Sequence, residues 1–233
     1  MKIAIMGAMV EEITPLLDFF GNYETIEHAK NRYYTTSYKG LDIVLAYSKI
    51  GKVNASLTAS VLIEKFGAQK LLFSGVAGAL NPSLKIGDMV VATQLAQHDL
   101  DITAFGHPHG YVPEGAVYVE TDKALTAMAK NVAQTKNMQL LEGIIATGDQ
   151  FICDPVKKEW IRNTFQADAT EMEGASVAVV CDALKVPFCV FRAISDAADM
   201  DAGFSFDEFL VSSAKESAQF IIAMLDELAN VRD

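Results

Sequence analysis

The sequence predicts an α/β layered fold, and two observations carry that expectation. Short continuous apolar runs alternate with amphipathic segments from end to end. Continuous apolar runs bounded by Gly or Pro suit strands covered on both faces, and the amphipathic segments supply helices to cover them. No stretch rich in Pro, Gly or Ser divides the chain, and no internal repeat is present.

The first element is a strand over Lys2–Ala8. Its apolar start imitates a signal peptide, but Glu11 and Glu12 follow where a cleavage region needs small neutral residues. Glu11–Phe20 reads as a helix with an apolar stripe of Ile13, Leu16, Leu17 and Phe20. Strands are expected over Asp42–Tyr47, Lys70–Ser74, Asp88–Thr93, Gly143–Thr147 and Pro187–Ile194. Helices are expected over Asn54–Phe66, Asp122–Thr135, Pro155–Asn163, Glu171–Leu184 and Phe206–Leu228. Gly75-Val76-Ala77-Gly78 reads as a close-approach turn on which a ligand could lie. The least regular stretch is Gln97–Glu120, which holds His98, His107, His109, Pro108 and Pro113. A loop of that length in a compact domain points to a lid or a subunit contact.

With 233 residues, 51% of them apolar, the chain can bury an extensive core, roughly 70–75% of its unfolded surface. A formal charge of −11 excludes a broad footprint for nucleic acid or an anionic membrane. The only arginines are Arg32, Arg162, Arg192 and Arg232, too few for a phosphate clamp built on several of them. No apolar run approaches the ~18–20 residues that span a bilayer. Cys153, Cys181 and Cys189 form no CxxC pair, and the apolar surroundings of Cys181 and Cys189 suit reduced core thiols. His107 and His109 lack a third ligand nearby, so no metal site is expected. The composition is that of a soluble, reduced, cytoplasmic protein.

Three acidic clusters sit at element ends. Acids in a first turn complement the helix dipole, which is one reading of Glu11 and Glu12. Glu12, however, lies one turn before Leu16 on the apolar side, so the other reading makes it an inward general base at the end of the first strand. Thr170 and Glu173 have capping-box spacing. Glu173 also continues into the stripe Val177, Val180 and Leu184, while Glu171 points about 200° away on the same helix. A buried acid is hydrogen-bonded or functional. Asp196 follows a strand, as a helix N-cap does, but also lies where open α/β sheets place ligands. Arg192, inside an apolar run, needs an acidic partner, which Glu12 or Glu173 could supply.

Taken together, these segments resemble the 5′-methylthioadenosine/S-adenosylhomocysteine nucleosidase family of the nucleoside phosphorylase superfamily. The carriers are Gly7-Ala8-Met9 with Glu11-Glu12, Ile50-Gly51-Lys52-Val53-Asn54-Ala55, Gly75-Val76-Ala77-Gly78, and His98-Asp99 through Thr103-Ala104-Phe105-Gly106. Gly148-Asp149-Gln150-Phe151-Ile152, Glu171-Met172-Glu173, Arg192-Ala193-Ile194-Ser195-Asp196 and Ser205-Phe206-Asp207-Glu208-Phe209 complete the set. The resemblance implies one nucleosidase domain over residues 1–233, a three-layer α/β/α sandwich with a mixed central sheet, assembled as a homodimer. It implies hydrolysis of adenine nucleosides without metal or cofactor: 5′-methylthioadenosine, S-adenosylhomocysteine and 5′-deoxyadenosine.

By position, Glu12 would deprotonate the attacking water with help from Arg192, and Asp196, oriented by Ser195, would protonate N7 of the departing adenine. Glu173 would bind the ribose hydroxyls, Met172 would pack on the sugar, Phe151 would stack on the base and the Ile152 backbone would read its edge. Met9, Ile50 and Phe206 would wall the 5′-substituent pocket, joined by Ile102, Phe105 and Pro113 of a neighbouring subunit. Val76 stands where many members carry serine, near the water or sugar, and His107 where others have tyrosine. The Gly-Val-Ala-Gly and Glu-Met-Glu-Gly-Ala-Ser segments resemble the branch that also acts on 6-amino-6-deoxyfutalosine in menaquinone biosynthesis. A phosphorylase on the same fold is the nearest rival; it would carry arginine where this chain has Phe73. A non-catalytic nucleoside sensor is the second rival.

Overall fold

The computed structural model describes residues 1–199 and 201–231, so Arg232 lies outside the described residues. The strands are β1 (Lys2–Gly7), β2 (Glu24–His28), β3 (Asn31–Tyr38), β4 (Leu41–Tyr47), β5 (Lys70–Phe73), β6 (Val76–Ala79), β7 (Met89–Gln97), β8 (Tyr118–Glu120), β9 (Leu140–Thr147), β10 (Ala169–Glu171) and β11 (Phe188–Asp196). The helices are α1 (Val10–Phe20), α2 (Lys52–Glu64), α3 (Lys123–Thr135), α4 (Pro155–Phe165), α5 (Gly174–Ala183) and α6 (Ala202–Asn230). They build one mixed sheet in the order β2-β3-β4-β1-β5-β11-β6-β10-β9-β7-β8. An antiparallel pairing of β11 with β7 closes the strands β11, β6, β10, β9 and β7 into a ring.

Alternation along the central strands feeds two cores, one on each face. From β1, Ala4 and Met6 join a core with Ala55, Ala59 and Leu62 of α2 and Val177 and Cys181 of α5. Ile3 and Ile5 face the other way, onto Ile13 and Leu16 of α1, Leu125 and Val132 of α3, and Phe220, Met224 and Leu225 of α6. The expected α/β/α layering follows directly. The thiols of Cys181 and Cys189 are buried in these cores, which pushes both pKa values up to about 12. No described helix is long and apolar enough to cross a membrane.

The apolar-run strands and the helices fall where the pattern puts them, with β7, β9 and α6 longer than expected. Five strands lie outside that pattern: β2, β3, β6, β8 and β10. β2 and β3 form an antiparallel hairpin at the sheet edge; β2 is largely exposed, and β3 is largely polar apart from its tyrosines, of which Tyr33 and Tyr34 are buried. β8 and β10 have only 3 residues each. Gly75–Gly78 is not a turn: residues 76–79 form β6, parallel to β11 and antiparallel to β10. The helix expected from Glu171 begins at Gly174 instead, because Glu171 ends a strand and Glu173 is the N-cap.

Candidate active site

The carboxyl ends of β1, β10 and β11 and the strand β6, together with the segments after β4 and β9 and the starts of α1 and α6, surround a cavity of about 470 Å³. That size suits a small ligand, roughly 300–1,000 Å³ being usual. Its lining includes Met9, Glu12, Ile50, Val76, Phe151, Ile152, Met172, Glu173, Ser195, Asp196 and Phe206. These are all of the single-chain positions expected from the sequence except Arg192.

Glu12 is 3% exposed in the first turn of α1. Its Oε2 accepts the N–H groups of Ala8 at 2.5 Å and Met9 at 3.0 Å, and its Oε1 accepts that of Val76 at 3.0 Å. Burial raises its pKa above the usual carboxylate range, opposed by the Arg192 charge and the three N–H donors. Gly75 leaves the room this requires: a Cβ there would lie 2.6 Å from Oε1 of Glu12.

Asp196, 3% exposed, is set by a β-bulge. Ile194 pairs with Ala77 and Asp196 with Gly78, so Ser195 is the extra residue that re-aims the strand end. The Ser195 hydroxyl donates to Asp196 Oδ2 at 2.9 Å, and the Ala198 N–H donates to Oδ1 at 2.9 Å. Burial again raises the pKa, partly countered by those bonds. A Cβ on Gly78 would lie 2.7 Å from Oδ1 of Asp196. One short strand thus gives way at each end to one carboxylate. The glycines make room for protein carboxylates; the turn expected there is a strand, and its Val76, Ala77 and Gly78 do line the cavity.

Arg192 is 1% exposed and its partner is neither Glu12 nor Glu173 but Glu171, at 2.6 Å. The guanidinium also donates to the carbonyls of Phe191 and Phe73 and lies 4.1 Å from the Phe73 ring centroid. It stands behind the cavity wall. Glu171, expected to point outward, is 7% exposed because it belongs to β10, where side chains alternate with period 2. Its carboxylate also takes the Thr147 hydroxyl and the N–H groups of Glu173 and Gly174. Glu173 accepts the Gly51 N–H at 2.8 Å. Burial, followed by the nearby Glu171 charge, pushes its pKa up to about 8.

Gln150, Thr170, Glu171 and Asp207 also line the cavity and were not singled out as ligand contacts. Each neighbours a motif residue in sequence, which was the available signal. Ile102, Phe105 and Pro113 lie on the 98–117 loop and are not among the lining residues; Phe105 is 81% exposed. His107 stacks on Tyr111 with centroids 4.5 Å apart. His98 is buried against Gly148, which brings its pKa down to about 4. Among the described residues no group of His, Cys, Asp and Glu could hold a metal ion.

Residues 2–226 match the phosphorylase superfamily. The chain belongs to that superfamily. An aminodeoxyfutalosine nucleosidase of Campylobacter jejuni is 62% identical over 228 residues, covering 98% of this chain and 100% of the relative. A 5′-methylthioadenosine/S-adenosylhomocysteine nucleosidase of Bacillus cereus is 41% identical over 230 residues, covering 98% and 100%. The crystal structure of the Helicobacter pylori nucleosidase complexed with an aminopyrrolopyrimidine-bearing pyrrolidinol has a TM-score of 0.96 at 53% identity, with 97% of this chain and 98% of that one covered. The resemblance carried by the motifs and the phosphorylase-superfamily fold both hold.

Gly75→Ala is expected to displace the Glu12 carboxylate from its N–H donors and lower kcat by about 10²-fold, the cost of misplacing a reacting group by about 1 Å. Steady-state kinetics on 5′-methylthioadenosine checks it; an unchanged kcat would mean that Glu12 relaxes at no cost. A second expectation concerns pH. Glu173 keeps its proton up to about pH 8 when folded, against 4.5 as the ordinary value. Its contribution to stability is therefore full below pH 4.5 and is lost as pH rises toward 8, by up to about 1.4 kcal/mol per unit. Glu173→Gln removes the titration, so the ligand-free variant should lose less Tm than the parent between pH 5 and pH 8, about the same window. Parallel slopes in thermal melts would contradict this.

Proposed function

We propose that this chain hydrolyses the N-glycosidic bond of adenine nucleosides. The observation that carries the reading is the pair Glu12 and Asp196, two buried carboxylates presented to one cavity from opposite ends of β6. Glycosidic cleavage passes through an oxocarbenium-like state, which needs one group to deliver water and another to relieve charge on the leaving group. Glu12, ionised and held by three N–H donors, takes the proton of the attacking water. Asp196, whose burial favours the protonated form, donates to N7 of the base, with Ser195 orienting the carboxyl.

The other roles follow the cavity wall. Glu173 binds the ribose hydroxyls and Met172 packs on the sugar. Phe151, in edge contact with Phe206 at 5.7 Å, stacks on the base beside the Ile152 backbone. Met9, Ile50, Val76 and Phe206 bound the sugar and its 5′-substituent. Arg192 acts through Glu171 and through its charge on Glu12, not by touching water.

The lining argues against phosphorolysis. Among the described residues lining the cavity none is Lys or Arg, while Glu12, Glu171, Glu173, Asp196 and Asp207 are acidic. A phosphate dianion finds no cation in that lining, and the Glu12 carboxylate favours a cationic transition state. Phe73, at the phosphorylase arginine position, is occupied as a platform for Arg192. A mere sensor would not need two buried acids at element ends with raised pKa values.

The substrates are 5′-methylthioadenosine, S-adenosylhomocysteine, 5′-deoxyadenosine and 6-amino-6-deoxyfutalosine. The last is supported by the name of the Campylobacter jejuni relative, and a rate comparison on the purified protein tests it. The chain works as a homodimer in the cytoplasm. Val53 and Leu57 on α2, with Ile50 just before it, form an exposed apolar patch, 79%, 49% and 52% exposed, which a second copy would cover. That copy would contribute Ile102, Phe105 and Pro113 to the 5′ pocket.

The division of labour is tested with two leaving groups. Asp196→Asn should slow 5′-methylthioadenosine hydrolysis by ~10²–10⁴-fold yet spare p-nitrophenyl riboside, whose leaving group needs no N7 proton. Glu12→Gln should slow both, because its amide cannot accept a proton and must turn its NH₂ toward one of the backbone donors. Equal slowing of both substrates by Asp196→Asn would reject Asp196 as the leaving-group acid; ribose 1-phosphate as a product would reject hydrolysis. For the shared pocket, Phe105→Ala should raise KM for S-adenosylhomocysteine more than for adenosine. An equal rise on both would remove Phe105 from the tail pocket.

A further inference from the structure

We propose that Lys158, on α4, is a positioning residue for Asp196, acting through the single peptide unit that joins Ala197 to Ala198. The inference rests on the reading of Asp196 as leaving-group acid. That peptide is gripped from both sides: its carbonyl oxygen accepts from the Lys158 ammonium at 2.5 Å, and its N–H donates to Asp196 Oδ1 at 2.9 Å. The ammonium on the carbonyl fixes the plane of the peptide, and with it the direction in which its N–H meets Asp196.

The local backbone shows why a grip is needed. Ala198 has φ +49° and is fully buried. A left-handed conformation at a residue other than Gly persists only where its surroundings impose it. Hydrogen bonding to Asp196 alone leaves the peptide tethered on one side; the half-buried Lys158 supplies the other from a separate element. Both carboxyl oxygens accept, Oδ1 from the Ala198 N–H and Oδ2 from the Ser195 hydroxyl, so the orientation of the carboxyl depends on this peptide as much as on Ser195. Lys157 cannot substitute, since its ammonium lies over the Trp160 ring at 4.2 Å. The placement of α4 also matters: the chain enters it directly from Phe151 and Ile152, so one helix anchors the wall for the base and the acid that protonates it.

The test compares the parent, Lys158→Met, Lys158→Arg and Asp196→Asn on 5′-methylthioadenosine and p-nitrophenyl riboside. Lys158→Met keeps length and packing but removes the donor. It should lower kcat/KM for the nucleoside about tenfold or more, since a displacement near 1 Å costs about 10²-fold, and change that for the p-nitrophenyl riboside less than twofold. Lys158→Arg, which can still donate to the carbonyl, should recover most of the loss. A purely structural role would slow both substrates alike. If Asp196→Asn separates the two substrates and Lys158→Met does not, the positioning role is overturned. If Asp196→Asn itself slows both equally, the reading of Asp196 fails instead. Should Lys158→Met prove insoluble, Lys158→Leu also removes the donor and gives the same comparison.

Discussion

Several carboxyl groups are buried around one cavity, and the cost of burying them is the constraint on which the surrounding architecture depends. A buried carboxylate must be hydrogen-bonded or give up its charge. Here the compensation comes mostly from main chain. Ala8, Met9 and Val76 donate to Glu12, Gly174 and Glu173 to Glu171, Gly51 to Glu173, and Ala198 to Asp196. Arg192 supplies the one guanidinium and gives it to Glu171, the acid nearest the joint between β10 and α5. Strand ends and helix starts are where unpaired N–H groups are available, which explains why the site gathers at the carboxyl edge of the sheet.

Much of this was legible from the chain. Continuous apolar runs located β1, β4, β5 and β11, because strands buried on both faces leave that mark. The inward face of Glu12 followed from helical spacing with Leu16, and it holds in the structure. The reading of Glu171 failed for a specific reason. A helical period was applied to a residue that ends a strand three residues long, too short to leave a pattern of its own. With Glu171 turned outward on paper, Arg192 was left to find a partner among the wrong acids. The hairpin of β2 and β3 was hidden by polarity, since β2 is an exposed edge strand and the buried Tyr33 and Tyr34 of β3 stand among polar residues and form no apolar run. The bulge at Ser195 depends on pairing with β6, a long-range relation that local sequence does not encode.

The family resemblance reached further than the physical pattern because it compares residues far apart in sequence. It collected Met9, Ile50, Phe151 and Phe206 around one cavity, although nothing in the periodicity of any single segment links them. What neither route supplied was the purpose of the glycines. Gly75 and Gly78 have no positive φ, so conformational freedom does not explain them; the carboxyl oxygens pressed against their Cα atoms do.

The closure of β11 onto β7 distinguishes the strands that hold the two acids from the segments that wall the cavity. Asp196 ends a strand of the closed ring, and Glu12 is bonded to Val76 of another. A ring of hydrogen-bonded strands has no edge along which to fray. Ile50, Phe151 and Phe206, by contrast, stand on connecting segments or a helix start outside it. A lineage can therefore remodel the walls that judge a ligand's tail while the spacing between the two acids stays fixed, so that new substrates are acquired without reinventing the bond-breaking step.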